Sequence, residues 1–345
     1  MDKEEQPFTA FSNPNNLDEI KVRPTRFFAY TIFFIIIIIV VITLVVLLNN
    51  ANYVIDDGLQ TLSLKFNVTS NATKTKIIEL SLDDTLIISS MKIDNSLENY
   101  SNYFLFNSTG THSVEITFNN SLSSLKELFI DCIDLIEVDL SDLEINNISS
   151  STKMFYNCSR LKKINFGNNF KTENIMNMDG MFYGCNSLTS IYLSQKFVTK
   201  NVVSMSKMFS DCNSLTSIDV TKFDTTKVED MSEMFCNCGK LKKIDLEKFK
   251  TESVTNMSKM FSGCKSITSL NLANFNTKNL ENVNYMFADC ELLDYLDLSG
   301  FNLSKVNDLE GTFKNIYTQG KIIINEALFN KTLPEIFDNW EVIYK

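Results

Sequence analysis

The sequence predicts an α/β solenoid, a right-handed coil of repeats with a parallel β-sheet on one face and short helices on the other. One transmembrane helix is expected to precede it. Three observations support this prediction: a dipeptide that recurs every 26 or 27 residues, an apolar pattern that changes within each repeat, and one uncharged run of 22 residues.

The dipeptide Met-Phe marks the repeat. It begins at Met154, Met181, Met208, Met234, Met260 and Met286. The degenerate copies Leu128-Phe129 and Thr312-Phe313 extend the series at both ends. The steps along the chain are 26, 27, 27, 26, 26, 26 and 26 residues. A fixed period of this length is the sequence signature of a stacked repeat architecture.

Each repeat divides into two patterns. In Val228, Met231, Met234, Phe235 and Cys238, spacings of three or four residues place the apolar side chains on one face of a short helix. The second pattern, L-x-x-[ILV]-x-[LVF], ends in the alternation of a strand with one buried face. A threonine precedes the first apolar position by three residues and is a suitable helix N-cap. These threonines are Thr172, Thr199, Thr225, Thr251 and Thr277.

The outward residues of the predicted strands form two neighbouring columns. The first column contains Asp139, Asn165, Tyr192, Asp219, Asp245, Asn271 and Asp297. The second contains Glu137, Lys163, Ser190, Ser217, Lys243, Ser269 and Tyr295. Either this is an ordinary solvated face or it binds a ligand, since repeat proteins usually bind through extended faces. The predicted ligand face is the whole first column with Lys163, Lys243 and Tyr295 of the second. Its stacked carboxylates would suit a basic protein epitope or a loosely held Ca²⁺, but no cofactor or metal site is predicted.

Seven of the eight cysteines recur at one position of the repeat, next to the predicted strand. Buried free thiols, scattered disulfides and metal binding are all possible there. Buried thiols are favoured, because the position needs a small apolar residue and a ladder of equivalent cysteines could pair only two by two. Cys236 lies outside the series and is expected to be more exposed. The methionines have helical spacing and predict a core rather than a ligand pocket.

The composition excludes several classes of function. The chain has 345 residues and a net charge of −10, which argues against a protein that neutralises nucleic-acid phosphates. Its single histidine, His112, excludes HExxH zinc sites and most Ser-His-Asp triads. No nucleophile or paired-carboxylate motif stands out, so no catalytic residue is predicted.

An uncharged run from Phe27 to Leu48 predicts the membrane span. As a helix it would reach roughly 33 Å, close to the ~30 Å hydrocarbon core of a bilayer. A cleavable signal peptide is the alternative, but the polar leader of 26 residues and the length of the run favour an uncleaved signal-anchor. Lys21, Arg23 and Arg26 precede the run, so the positive-inside rule predicts a single-pass type II plasma-membrane protein with its C-terminal ectodomain at the cell surface.

Five segments follow from these patterns. Residues 1–26 are predicted as a disordered cytosolic tail, 27–48 as the transmembrane helix, and 49–118 as a β-rich stalk and N-terminal cap. Residues 119–316 hold seven to eight repeats, and 317–345, with the only tryptophan, Trp340, form a C-terminal cap. Glycosylation candidates are Asn67, Asn71, Asn99, Asn107, Asn119, Asn147, Asn256, Asn302 and Asn330, and Asn157 begins a tenth sequon.

The units MFYGCNSLTSIYLSQKF and MFSGCKSITSLNLANF resemble the repeat of BspA-like leucine-rich-repeat surface proteins. They are most similar to the 26-residue variant of mycoplasma, lactobacillus and protist surface proteins. The resemblance covers roughly residues 119–316. It implies a leucine-rich-repeat-like solenoid displayed at the cell surface that adheres to host proteins, matrix or other cells, and it transfers no catalytic residue.

The expected function is therefore recognition or adhesion. The sequence predicts a membrane-anchored surface protein that binds an extracellular protein or glycan through the sheet face. A structural coat protein without a specific ligand is the alternative. An ectodomain enzyme is disfavoured, because the repeats have almost no insertions that could form an active site.

Overall fold

A computed structural model describes residues 58–145, 147–168, 170–325 and 340–345, all within one compact unit, Gly58–Lys345. The predicted tail 1–26, the predicted span Phe27–Leu48 and Asn330 lie outside the described residues. The strands before the repeats are β1 (Gln60–Val68), β2 (Thr75–Lys76), β3 (Ile88–Ile93), β4 (Ser96–Glu98), β5 (Tyr103–Phe104) and β6 (Gly110–Phe118), with one helix, α1 (Leu82–Thr85). The strands that follow are β7 (Leu135–Asp139), β8 (Lys163–Asn165), β9 (Ser269–Asn271), β10 (Tyr295–Asp297), β11 (Lys321–Ile324) and β12 (Glu341–Tyr344).

A six-stranded sheet joins the β-rich region to the first repeats. Its strand order is β4-β3-β6-β1-β7-β8. Leu62, Leu64 and Phe66 alternate with polar residues along β1, and all three are buried. One face of the strand therefore closes the repeat core. β1 pairs with β7 in antiparallel fashion, and β8 pairs with β7 in parallel.

The repeats stack in parallel, and each repeat is hydrogen-bonded to the next. We call the described residues of 125–325 the repeat stack. Isolated parallel bridges join Ser150, Asn177, Ser204, Asp230, Asn256 and Asn282 in succession. A second sheet, all parallel, ends the stack with the order β12-β11-β10-β9. Trp340 lies just before β12, is buried, and donates a hydrogen bond from Nε1 to the carbonyl oxygen of Thr318 (2.7 Å).

The predicted helices are wrong: α1 is the only α-helix within the described part of the chain. Two residues of each repeat have left-handed backbone angles, such as Glu233 (φ 56°) and Asn237 (φ 57°), and a right-handed helix cannot pass through them. The amide groups here donate across repeats instead. The amide of Phe235 bonds the carbonyl oxygen of Met260 (3.0 Å), and that of Asn237 bonds Ser262 (2.7 Å). We call this part of the repeats the turn ladder, exemplified by residues 231–238.

The predicted N-cap role of the threonines is also wrong, because no helix follows them. Their hydroxyls instead donate to a backbone carbonyl of the next repeat. Thr172 bonds Val198, Thr199 bonds Asp224, Thr225 bonds Lys250, Thr251 bonds Asn276 and Thr277 bonds Asn302, at 2.7–3.1 Å. All five threonines are buried, and each joins two neighbouring repeats.

The predicted α/β solenoid is therefore contradicted. Among the described residues there is neither a row of helices nor one parallel sheet that runs through all repeats. The described residues between Asn165 and Ser269 form no strand, and the sheets at the two ends of the stack are separate. The third repeat has an extra residue beside Ile191, but the segments of Ile218 and Ile244 belong to repeats of 26 residues and also lack strands.

The core consists of ladders of identical side chains. The phenylalanines of the Met-Phe series stack from Phe129 to Phe313, with ring centroids 5.2–6.1 Å apart and nearly parallel planes. All eight cysteines are free and buried. The thiol of Cys212 donates to the carbonyl oxygen of Phe182 in the preceding repeat (3.1 Å), and Cys158, Cys185, Cys238, Cys264 and Cys290 make the equivalent bond. Of the eight cysteines, Cys236 is the least buried, at 7% exposure.

The described residues contain no helix that is long and apolar enough to cross a membrane. This finding contradicts the predicted transmembrane helix and the predicted single-pass type II location at the plasma membrane. We withdraw both predictions. The run for which the span was predicted, Phe27–Leu48, is not among the residues that the structure describes.

Candidate functional site

The outward column of the strand segments is the candidate site, and most of it lies at the surface. Asn165, Tyr192, Asp219, Asp245 and Asn271 are exposed, and Asp139 is half-buried. Lys163 and Lys243 of the neighbouring column are exposed as well, while Tyr295 is half-buried. We call the exposed members of the two columns (Lys163, Asn165, Tyr192, Asp219, Lys243, Asp245 and Asn271) the outward face.

Asp297 is placed differently from its prediction. Its side chain is buried, with 3% exposure, although the alternation predicts an outward residue. Oδ1 accepts hydrogen bonds from the amide (2.9 Å) and the hydroxyl (2.6 Å) of Ser299, and Nζ of Lys345 lies 3.4 Å from Oδ2. Lys345 thus pairs with the buried carboxylate of Asp297, and Asp297 is removed from the candidate site.

The recurrence of Asp and Asn in the column has a structural cause. In each case the side-chain oxygen accepts a hydrogen bond from the backbone amide two residues later, which closes an Asx turn after the strand segment. The pairs are Asp139–Ser141, Asn165–Gly167, Asp219–Thr221, Asp245–Glu247, Asn271–Ala273 and Asp297–Ser299, at 2.9–3.1 Å. Tyr192 is the exception, because its side chain cannot make this turn. The column is therefore a turn-forming series that one repeat interrupts.

The same hydrogen bonds set the charge of the column. At Asp219 the hydroxyl and the amide of Thr221 lower the pKa of the carboxyl, and Lys222 adds to this effect. At Asp139 desolvation acts in the opposite direction, but hydrogen bonds from Ser141 and Asn165 outweigh it and lower the pKa. Both carboxylates therefore stay ionised well below neutral pH, and of the two only Asp219 belongs to the outward face.

Several depressions open along this face. One, of about 280 Å³, lies over the six-stranded sheet and is lined by Lys65, Glu137 and Lys163 among others. A second, of about 270 Å³, lies between the segments of Ile164 and Ile191. Further along, one of about 350 Å³ lies between Asp245 and Asn271. The depressions of about 270 and 350 Å³ lie where neighbouring segments are not joined by strand pairing.

One family model matches three overlapping parts of the chain, residues 100–190, 120–243 and 203–325. Its description is Mycoplasma protein of unknown function, DUF285. Together the matches cover about two thirds of the chain. The chain belongs to the DUF285 family. Neither a curated protein nor a solved structure matches it.

The DUF285 matches together span residues 100–325 and therefore include the whole repeat stack. They restart at intervals within the region where Met-Phe recurs, so the family model describes groups of successive repeats. This result confirms that the repeats resemble those of mycoplasma proteins. The narrower resemblance to BspA-like leucine-rich-repeat proteins is not established by the match.

Within the part of this DUF285 chain that the structure describes, no three His, Cys, Asp or Glu side chains are grouped as a metal site requires. The sequons are distributed over several surfaces. Asn67, Asn71, Asn99, Asn107, Asn119, Asn147 and Asn302 are exposed. Asn157 and Asn256 are half-buried; Nδ2 of Asn157 donates to Oδ1 of Asp131 (2.9 Å), and Asn256 belongs to the parallel bridges. Glycan occupancy stays a prediction.

Two residues beside the outward face were missed by the sequence argument, Leu193 and Ser194. The signal was present in the spacing, because the step from Met181 to Met208 has 27 residues instead of 26. The step from Met154 to Met181 also has 27 residues, and the period alone does not show where in a DUF285 repeat the extra residue lies. The structure places it in the segment that carries Tyr192.

Proposed function

We propose that this protein recognises a protein or glycan partner through the outward face of its repeat stack, and that it acts by binding rather than by catalysis. The observation that carries the proposal is the contrast between recurring and varied positions. The recurring Phe, Met, Cys and Thr side chains are buried; the phenylalanines stack on one another, and the Cys and Thr side chains hydrogen-bond between repeats. The outward face is exposed and differs in charge and size from repeat to repeat.

This contrast is what a binding repeat protein needs. The stack supplies a rigid support, and the support is independent of which side chains stand on its surface. Lys163, Tyr192 and Asp245 thus offer a cation, an aromatic ring and an anion on one extended surface. Depressions of about 270–350 Å³ between the segments provide concave contacts for a partner.

The resemblance to BspA-like surface proteins supports the same proposal. Members of that group serve in adhesion to host proteins, matrix or other cells. The DUF285 match is consistent with mycoplasma repeat proteins but describes them as being of unknown function. The type of partner therefore has to come from a direct binding experiment.

The experiment is a screen of the full chain against protein and glycan arrays, followed by titration of each hit. The double variant Lys163→Glu with Lys243→Glu reverses two charges on the outward face. The matched control is Lys207→Glu with Lys259→Glu, which reverses two exposed lysines of the turn ladder. We expect saturable binding that the first pair weakens at least tenfold and the second pair leaves within twofold.

Two results would contradict the proposal. One is equal loss of binding in both double variants, since it would place the contact elsewhere or show a general charge effect. The other is the absence of saturable binding to any array member, which would favour a structural role. Circular dichroism of all variants separates a local effect on binding from unfolding.

A further inference from the structure

The segment Ile191–Phe197 contains the extra residue of its repeat. In four later repeats the amide of the turn phenylalanine donates to the carbonyl oxygen of a buried apolar residue three positions earlier: Phe223 to Val220, Phe249 to Leu246, Phe275 to Leu272 and Phe301 to Leu298. In this segment the same bond runs from Phe197 to Ser194 (3.0 Å). Ser194 therefore occupies a place that is otherwise held by Val or Leu. Tyr192 and Leu193 stand where the next repeat has Asp219 alone.

A serine at this place creates a buried hydroxyl without a partner. The side chain of Ser194 is 5% exposed, and within the described ranges its Oγ is the one buried side-chain nitrogen or oxygen that lacks a hydrogen bond to the protein. Such groups are rare, because a buried hydroxyl that loses its hydrogen bonds to water and gains none from the protein destabilises the folded state. Ser194 lines a recess of about 70 Å³ together with Tyr192, Phe197, Asp219 and Lys222. The recess has room for several water molecules or for one small polar group of a ligand.

The ring of Tyr192 stands at the edge of this recess with 77% exposure. Tyr192 also lines the depression of about 270 Å³, together with Lys163, Asn165 and Ser190. Lys163 and Asn165 are shared with the depression over the six-stranded sheet. Three depressions thus share lining residues in succession, and the last two share Ile191 and Tyr192.

We propose that this chain of depressions, which we call the Tyr192 groove, binds an oligosaccharide. One sugar ring stacks on Tyr192, and a hydroxyl or hydroxymethyl group of that sugar enters the recess and bonds Oγ of Ser194. Asp219 and Lys222 border the recess and supply an acceptor and a donor for neighbouring hydroxyls. This inference rests on the proposed function and names the partner class for its outward face.

The groove offers both kinds of contact that a sugar makes. Lys163, Asn165, Ser190 and Asp219 supply hydrogen-bonding groups, and Ile191, Tyr192 and Phe197 supply apolar surface. A sugar presents many hydroxyls, each both donor and acceptor, on a ring whose C–H face packs against an aromatic side chain.

Lys222 lines the recess, and its ammonium group is a donor for a ligand hydroxyl. Its Nζ donates to Oε1 of Gln195 (2.8 Å), and both side chains are exposed.

The test is a glycan array with the full chain, followed by calorimetric titration of the strongest oligosaccharide. Tyr192→Ala is expected to weaken binding at least tenfold, while Tyr192→Phe keeps the ring and stays within threefold. Ser194→Ala is expected to weaken binding about tenfold without lowering the thermal midpoint, because it removes an unpaired hydroxyl. Tyr317→Ala, at another tyrosine with 75% exposure, is the matched control and should leave binding unchanged.

The inference is overturned if no glycan binds, or if a glycan binds equally well to the Tyr192→Ala and wild-type proteins. It is also overturned if the only saturable partner is a protein. In that last case the proposed function stands, provided that the charge reversals at Lys163 and Lys243 still weaken binding. Failure of both sets of variants to affect any ligand would overturn the proposed function as well.

Discussion

Oγ1 of Thr225 donates a hydrogen bond to the carbonyl oxygen of Lys250 (2.8 Å) and accepts one from the amide of the same residue (2.7 Å). One buried hydroxyl thus satisfies both backbone groups of a residue in the next repeat. The amide of Val228 in turn bonds the carbonyl oxygen of Thr225 (3.0 Å), so the threonine also closes its own turn. Its place in the sequence is set by contacts between repeats and not by a helix start.

Replacement of Thr225 tests this role. Thr225→Val keeps the shape but leaves the amide and the carbonyl of Lys250 without their partner, so the free energy of unfolding should fall by about 2–4 kcal/mol. Thr225→Ser keeps the hydroxyl and loses one methyl group, which costs about 1 kcal/mol. Urea denaturation of both variants gives the comparison. A valine variant as stable as the serine variant would show that the hydrogen bonds contribute nothing.

Asn237 provides a test of the turn ladder. Its backbone is left-handed (φ 57°), and Nδ2 donates to Oδ1 of Asp211 (2.8 Å). Asn237→Ala should destabilise the protein by about 2 kcal/mol, because alanine tolerates this conformation poorly and the side-chain bond is lost. Asn237→Gly loses only the bond and should cost about 1 kcal/mol or less, as Gly263 occupies the same place in the next repeat. Equal stability of the alanine and glycine variants in urea would contradict the left-handed turn.

The repeat could be read from the sequence to a large extent, but its local conformation could not. The Met-Phe period correctly placed Met208, Phe235 and Cys264 in the core, where all three are fully buried. The spacing of three and four residues in Val228, Met231, Met234 and Phe235 is produced equally by a helix and by a compact turn with left-handed residues. Of the two left-handed positions, one is always Asp, Asn or Gly and could have warned against a helix. The other holds residues such as Lys207 and Glu233, which carry no such signal.

The candidate site could likewise be predicted from the sequence only in part. Alternation identified the outward column, but the reason for its Asp and Asn residues is a hydrogen bond to the backbone two residues on, which strand periodicity does not reveal. Asp297 follows the pattern in sequence and is nevertheless buried. Ser194 was missed because its repeat is one residue longer, and a period does not tell where the chain bulges.

The buried thiols predict a loss of stability at high pH. Burial raises the pKa of Cys212 and of Cys290 to about 12, and raises those of Cys158, Cys185, Cys238 and Cys264 well above their usual range. In the unfolded chain the thiols lose their protons above pH ~8.5, whereas in the folded protein they keep them. The unfolded state therefore binds fewer protons there, and stability falls as the pH rises.

The loss of stability per pH unit is large because many buried thiols contribute to it. Each fully buried thiol contributes about 1.4 kcal/mol per pH unit between its two pKa values, so these six contribute on the order of 8 kcal/mol per unit. We expect cooperative unfolding between about pH 9 and 10.5, monitored by circular dichroism under reducing conditions. The double variant Cys212→Ala with Cys264→Ala should reduce the slope by about a quarter, because burial also raises the pKa of Cys132 and Cys236 and all eight thiols contribute. A slope that does not change in this variant would show that other groups cause the alkaline transition.

The most direct test of the stack is a pair of disulfide variants across neighbouring repeats. Nδ2 of Asn213 donates to Oδ1 of Asn186 (2.8 Å), and both side chains are exposed. The two residues occupy equivalent positions of neighbouring repeats. Lys265 and Glu291, which form an ion pair, occupy the same position in two later repeats. Neighbouring repeats lie about 4.8 Å apart and next-nearest repeats about 10 Å apart, while a disulfide requires Cα atoms within about 7 Å. Under mild oxidation, Asn186→Cys with Asn213→Cys should form the bond in nearly all molecules, and Asn186→Cys with Gly239→Cys should not, as measured by mass spectrometry of proteolytic fragments. Equal cross-linking of the two pairs, or none in the first, would contradict the parallel stacking on which the outward face depends.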